Sequence, residues 1–102
     1  MIEALLRKKK EIASACVRRE VARLEAFGSA LGPDFAPGKS DIDLLVEFKP
    51  MAPYSRVDAY FGLLEDLRAL LETDVDLVMA GAVRNRYIFQ NIERTKQLLY
   101  AA

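Results

Sequence analysis

The chain has 102 residues, 52% hydrophobic and 29% charged, which fits one soluble globular domain (residues 1–102) whose core needs no disulfide or structural metal. Its 15 basic and 15 acidic residues cancel, which argues against a general nucleic-acid binder, and the absence of histidine excludes His-based triads and His/Cys zinc sites. The single cysteine cannot close an internal disulfide, no apolar run approaches a membrane span, and Arg7–Lys10 interrupts the start before any signal-like segment, so a cytoplasmic protein is expected.

The zero balance hides a pattern. Residues 1–25 carry seven basic and four acidic groups, residues 26–82 carry four and ten, and residues 83–102 carry four and one. The middle of the chain is acidic and both ends are basic, a distribution that solvated helix faces alone can also produce.

Ile2, Leu5, Leu6, Ile12, Ala13, Cys16 and Val17 recur at helical spacing and predict a first helix over residues 2–18, with Cys16 as a reduced core residue. Val21–Phe27 has helix-favouring residues, yet its alternation and the Gly28-Ser29 that follows favour a short strand. Gly32-Pro33 and Pro37-Gly38 mark a loop. Asp41–Phe48 is the clearest strand, ended by Pro50 and Pro53. Ser55 and Asp58 resemble a capping box, and Val57, Tyr60, Phe61, Leu64, Leu67 and Leu71 mark one face of a helix to about Glu72. Asp74–Met79 is a second strand, broken by Gly81. Val83–Tyr100 reads as a final helix on the spacing of Ile88, Ile92, Thr95 and Leu99. Together these predict an α/β domain with a small mixed sheet packed by helices.

The chemistry lies between Phe27 and Phe48. Asp41 and Asp43 are two residues apart, so on a strand they share a face about 7 Å from each other. Like charges beside a buried sheet are unfavourable unless a cation sits between them, and a divalent ion with oxygen ligands serves that purpose. Gly28-Ser29 upstream can bring backbone N–H groups close to a phosphate. The run DVDLVM at residues 74–79 repeats the pattern of DIDLLV at 41–46. If the two strands are neighbours in register, a third carboxylate joins the pair. Three carboxylates can hold two magnesium ions that clamp the attacking and leaving oxygens of a phosphoryl or nucleotidyl transfer.

The stretch from Leu24 to Phe48, with its Gly-Ser pair, loop and DIDLLVEF, resembles the signature of the DNA polymerase beta-type nucleotidyltransferases, specifically the minimal nucleotidyltransferases of bacteria and archaea. The later VDLV and the tail RNRYIFQNIERTKQLLYAA resemble the same family, so the likeness covers nearly the whole chain. It implies the nucleotidyltransferase (DNA polymerase beta-like) fold. It also implies that Gly28 and Ser29 hold the nucleotide triphosphate and that Asp41 and Asp43 bridge two Mg²⁺ ions. Asp76 is implied as the third carboxylate, ligating one metal and helping to deprotonate the acceptor hydroxyl. Asp74 competes for that role because it shares a strand face with Asp76. Ser40 stands both as a turn serine and as a nucleotide-binding candidate. Two departures stand out: eleven residues separate Ser29 from Asp41, one more than the family's usual spacing, and Ala30 and Leu31 stand where many relatives carry arginine. Charge neutralisation of a triphosphate would then lean on the metals, with Lys39, Arg84 and Arg86 as the basic residues in question.

The resemblance further implies ATP as substrate, AMP transfer to a hydroxyl, and a HEPN-type toxin as partner, with a tyrosine of that toxin as acceptor. The chain would then be the antitoxin of the pair, in a hetero-oligomer, with self-association left open. The alternative is an inactive antitoxin that neutralises its partner by binding alone. Tyr54, Tyr60, Tyr87 and Tyr100 are expected to pack in the core or at an interface rather than to stack on bases.

Overall fold

Alternation along one strand organises the molecule. In Ile42–Phe48, Ile42, Leu44 and Val46 are buried on one face of the sheet, so Asp43, Leu45 and Glu47 face the other. The computed structural model describes residues 2–28, 41–82, 90 and 96–102. Its elements are α1 (Ile2–Arg7), α2 (Lys9–Arg18), β1 (Val21–Phe27), β2 (Ile42–Phe48), α3 (Pro53–Leu71), β3 (Val75–Met79), a 3₁₀ turn (Ala80–Ala82) and β4 (Gln97–Ala101).

The strands form a mixed sheet in the order β3-β2-β1-β4. β1 is antiparallel to both β2 and β4, whereas β2 and β3 are parallel, with α3 as the crossover that such a pair requires. Leu5, Cys16, Leu63 and Leu67 from the helices meet Leu24, Leu44, Leu77 and Leu99 from all four strands in one core. The described helices therefore cover one face of the sheet. The expected α/β architecture with a small mixed sheet is the one observed. Among the described residues, no helix is long and apolar enough to cross a membrane.

Several local expectations change. The single helix over residues 2–18 is two helices, broken at Lys8. The Lys8 N–H donates to the Leu5 carbonyl at 3.2 Å, closing α1, and the Ile12 N–H donates to the Lys8 carbonyl at 2.9 Å, opening α2. The Lys8 ammonium donates to the Leu70 carbonyl at 2.6 Å, satisfying one of the orphan acceptors at the end of α3. No proline or glycine marks this break; a tertiary contact accompanies it. α3 starts earlier than the Ser55–Asp58 pattern suggests. Ala52 is its N-cap, with no side-chain capping bond, and Pro53 occupies the first turn, where a missing N–H costs nothing. Its buried stripe is Leu63, Leu64 and Leu67, while Val57 and Phe61, expected on that stripe, are exposed.

The largest change is at the end of the chain. Gln97–Ala101, with its first four residues expected as the last turn of a helix ending at Tyr100, is strand β4, paired with β1 from Ala26–Gln97 to Arg23–Ala101. Leu99, placed in the helical series, is buried from within a strand. Pairing with the open edge of β1 outweighs local periodicity here. Gln90 is helical, and Ile88, Ile92 and Thr95 lie outside the described residues.

An ion cluster clamps α2 to α3. Arg19 Nε donates to Asp66 Oδ2 at 3.0 Å, and Arg18 approaches the same oxygen at 3.3 Å. Burial pushes the Asp66 carboxyl up, but the hydrogen bonds from Arg19 and then Arg18 outweigh it and hold the group below its ordinary value. Cys16 is fully buried, as expected, and burial pushes its thiol up to about 12.

Candidate active site

Asp43 is the second residue of β2 and Asp76 the second residue of β3. The parallel register pairs Ile42 with Val75, Asp43 with Asp76, and Leu44 with Leu77. The register that buries the leucines and valines on the helix side therefore sets two aspartates side by side on the other face. Neighbouring strands are about 4.8 Å apart, so the two carboxylates repel unless a cation stands between them. Asp43 is half-buried; Asp76 and Asp41 are exposed.

Asp41 and Asp74 stand one residue before the Ile42–Val75 pair. The Ile42 N–H donates to the Asp74 carbonyl at 3.0 Å, so the Asp74 backbone extends the ladder one residue before the start of β3. The register thus sets Asp76, rather than Asp74, beside Asp43. Both Asp41 and Asp43 have polar interaction partners in the folded chain.

Gly28 completes the arrangement. It follows the last residue of β1, Phe27, which is the register partner of Asp43 across the antiparallel pair. Its φ is +65°, a region open to glycine at little cost. A Cβ at this position would lie 2.6 Å from Asp43 Oδ2 and 3.4 Å from Asp43 Cγ. The backbone of the turn is therefore packed directly against the carboxylate, and any Cβ there would push it aside. Ser29 and Ser40, the other nucleotide-binding candidates, lie outside the described residues, as do Lys39, Arg84 and Arg86.

Among the described residues, Asp41, Asp43 and Asp76 bring carboxylate oxygens to this end of the sheet, which suits a hard divalent cation such as Mg²⁺ rather than a thiophilic one. Among the described residues, no three acidic, histidine or cysteine side chains converge closely enough to form a complete metal cage. Two aspartates in register, a third two residues upstream and a glycine turn against them suit an open site at a sheet end. A cavity of about 580 Å³ between α2 and α3 is lined by Lys10, Ser14, Arg18 and Asp66, among others, and holds none of the three aspartates.

Sequence reasoning missed a second ionic feature on the same face. Glu25, in β1, has a side chain only 6% exposed; Arg23 Nε lies 3.2 Å from its Oε1 and Lys96 Nζ lies 3.3 Å from its Oε2. Glu25 sits between Leu24 and Ala26, both fully buried on the helix side, so it projects to the face of Asp43. A glutamate alternating with core residues was the available signal. Its partner Lys96 could not be found while the tail was read as a helix.

A family model for the nucleotidyltransferase domain matches residues 9–99. A candidate protein adenylyltransferase of Methanocaldococcus jannaschii is 38% identical over 99 residues, covering 97% of this chain and 93% of its own length. Among solved structures, a candidate minimal nucleotidyltransferase has a TM-score of 0.74 at 28% identity, covering 93% of this chain and 92% of its own. The fold is also that of a chain in the complex of a tri-AMPylated Shewanella oneidensis HEPN toxin with an MNT antitoxin. That match has a TM-score of 0.62 at 20% identity, covering 96% of this chain and 73% of that one. On the span of the family match and the identity to the archaeal relative, the chain belongs to the nucleotidyltransferase domain family.

Proposed function

We propose that this chain, acting as a single minimal domain in the cytoplasm, transfers AMP from ATP to a hydroxyl of a HEPN-type partner protein, with a tyrosine as the acceptor. The observation that carries the reading is the in-register pair Asp43–Asp76 against the Gly28 turn. The archaeal relative's name as an adenylyltransferase supports the AMP chemistry. The fold shared with a chain of a complex containing an AMPylated HEPN toxin supports the partner class.

In this reading Asp41, Asp43 and Asp76 would hold two Mg²⁺ ions, and the chemistry those would supply is neutralisation of phosphate charge. Gly28 lets the backbone approach the phosphates, and Ser29 adds a hydroxyl donor. Asp76, exposed at the rim, accepts the proton of the incoming hydroxyl. The acceptor oxygen forms its bond to the α-phosphorus as the bond to the bridging oxygen breaks, and pyrophosphate leaves. Positioning and charge neutralisation supply most of the rate.

The test is incubation with α-labelled ATP, Mg²⁺ and the HEPN-type partner, comparing wild type with Asp43→Asn. Label on the partner from wild type alone supports transfer. No label, with the partner inhibited equally by both forms, would replace the proposal with neutralisation by binding.

A further inference from the structure

Polyphosphate binding at the Gly28 end of the sheet calls for a fixed positive charge there. The register identifies where one stands. Gln97 pairs with Ala26, so one step further brings Lys96 level with Phe27, the residue opposite Asp43. Across the sheet the row reads Lys96, Phe27, Asp43, Asp76. Two strand spacings separate the Lys96 and Asp43 backbones, about 10 Å. Gly28 follows Phe27 directly, between them.

The Lys96 side chain lies over the face that carries the aspartates, because its ammonium is 3.3 Å from Glu25 Oε2 and Glu25 projects to that face. The lysine side chain is 20% exposed, against 6% for the glutamate. A carboxylate this deeply buried on a sheet face is costly unless its ion pairs are well made. Glu25 has two cations on it, and the second, Arg23, lies toward the opposite end of β1, opposite Glu47. Among the described residues, Lys96 is a basic residue whose backbone stands at the Gly28 end of this face, with its ammonium on Glu25, two residues along β1 from Phe27.

We infer that Lys96, positioned by Glu25, contacts the β- and γ-phosphates of bound ATP and so sets the preference for triphosphate over monophosphate. The inference rests on the proposed nucleotide reading. Lys96 is the binding residue; Glu25 is a positioning residue that acts through it.

The experiment is calorimetric binding, with Mg²⁺ present, of a non-hydrolysable ATP analogue and of AMP to wild type, Lys96→Met, Lys96→Arg and Glu25→Gln. Because Lys96→Met leaves Glu25 with one partner fewer, the double variant Glu25→Gln/Lys96→Met is measured beside it as the fold control, and thermal melts accompany all five proteins. The expected result is a loss of roughly tenfold or more in affinity for the ATP analogue on Lys96→Met, in both backgrounds, with AMP changed less than about twofold. Lys96→Arg should retain most of the affinity, and Glu25→Gln should fall between. Equal losses for AMP and the ATP analogue, or none for either, in a variant that melts normally, would overturn the inference. A wild type that binds neither nucleotide would defeat the nucleotide reading itself and this inference with it. A wild type that prefers the triphosphate analogue regardless of Lys96 would defeat the inference alone.

Discussion

Replacing Gly28 with alanine probes the packing of the site at its tightest point. Two costs can be worked from the structure. Holding an L-residue at φ +65° costs about 1 kcal/mol. The new Cβ would stand 2.6 Å from Asp43 Oδ2, so the carboxylate must retreat by about 0.4–0.8 Å to reach the 3.0–3.4 Å range of tight but real contacts. Turning the Asp43 side chain off its preferred angle adds about 0.5–1.5 kcal/mol. The total, roughly 2 kcal/mol, should lower the melting temperature by about 10 °C in a domain of this size. AMP transfer should fall further than stability, because a shift near 1 Å at a reacting centre can cost about a hundredfold. Gly81→Ala is the matched control: nothing lies within 4 Å of a Cβ there, so its melt should move little. The decisive assay is a double-mutant cycle by thermal and urea denaturation with Asp43→Ala. Removing the carboxylate removes the clash and leaves only the backbone strain, so the pair should be non-additive by about 1 kcal/mol. Additive losses, or a Gly28→Ala protein that melts like wild type, would show that the turn does not pack against Asp43 as described.

Other substitutions separate the site from the scaffold. Asp76→Asn should abolish label transfer while leaving the melting temperature unchanged or slightly raised, since it removes one of two like charges set in register; a fall of several degrees would mean that Asp76 supports the fold instead. Asp66→Asn should destabilise the protein by about 0.5–1 kcal/mol at pH 7, because it unlinks Arg19 and Arg18 from α3. The Asp66 carboxyl is held below its ordinary 3.8, so its contribution is present above that pH and is lost as pH falls through the folded value. Denaturation curves of variant and wild type should therefore converge only below about pH 4, and convergence near neutrality would contradict the assignment. The Cys16 thiol, raised to about 12, should react with a thiol reagent at pH 8 only through unfolding, with a rate that climbs with urea; fast labelling in native buffer would contradict its burial.

The parts of the fold that could be read in advance are those where local pattern and tertiary role agree. Ile42–Phe48 alternates because one face is core, and Val75–Met79 does the same beside it. Val21–Phe27 was harder for a physical reason. The register shifts between Val21 and Arg23 against β2 and between Leu24 and Glu25 against β4, and Glu25 is buried under its ion pairs on the face opposite Leu24 and Ala26, so three residues in succession are buried. Burial on both faces blurs the contrast between polar and apolar positions, while helix-favouring residues pull the local reading the other way. The break at Lys8 depends on an acceptor 62 residues away, which no local signal encodes. The tail misled in the opposite sense. Leu99 fits a helical series, but the free edge of β1 selects a strand, and with that strand comes the Lys96–Glu25 pair. Of the candidate site, Gly28, Asp41, Asp43 and Asp76 were legible because two short motifs repeat one pattern. The closeness of Gly28 to Asp43 was not, since it depends on how β1 and β2 align across a long loop.

The core and the site answer to one constraint. In a parallel pair, a slip of one residue exchanges the faces of every side chain in the slipped strand. Sliding β3 by one residue along β2 would move Val75 and Leu77 out of the core and turn Asp76 toward it. Both changes are expensive, the first through lost apolar burial and the second through a buried charge. The hydrophobic side chains that never touch a substrate therefore hold Asp43 and Asp76 in line. This makes the two classes of mutation asymmetric. Neutralising an aspartate leaves the register intact, because the leucines and valines set it. Truncating Leu44 or Leu77 weakens the register itself, so such variants lose the carboxylate alignment along with their stability. The like-charged pair then persists because the strands that carry it are pinned from the opposite face.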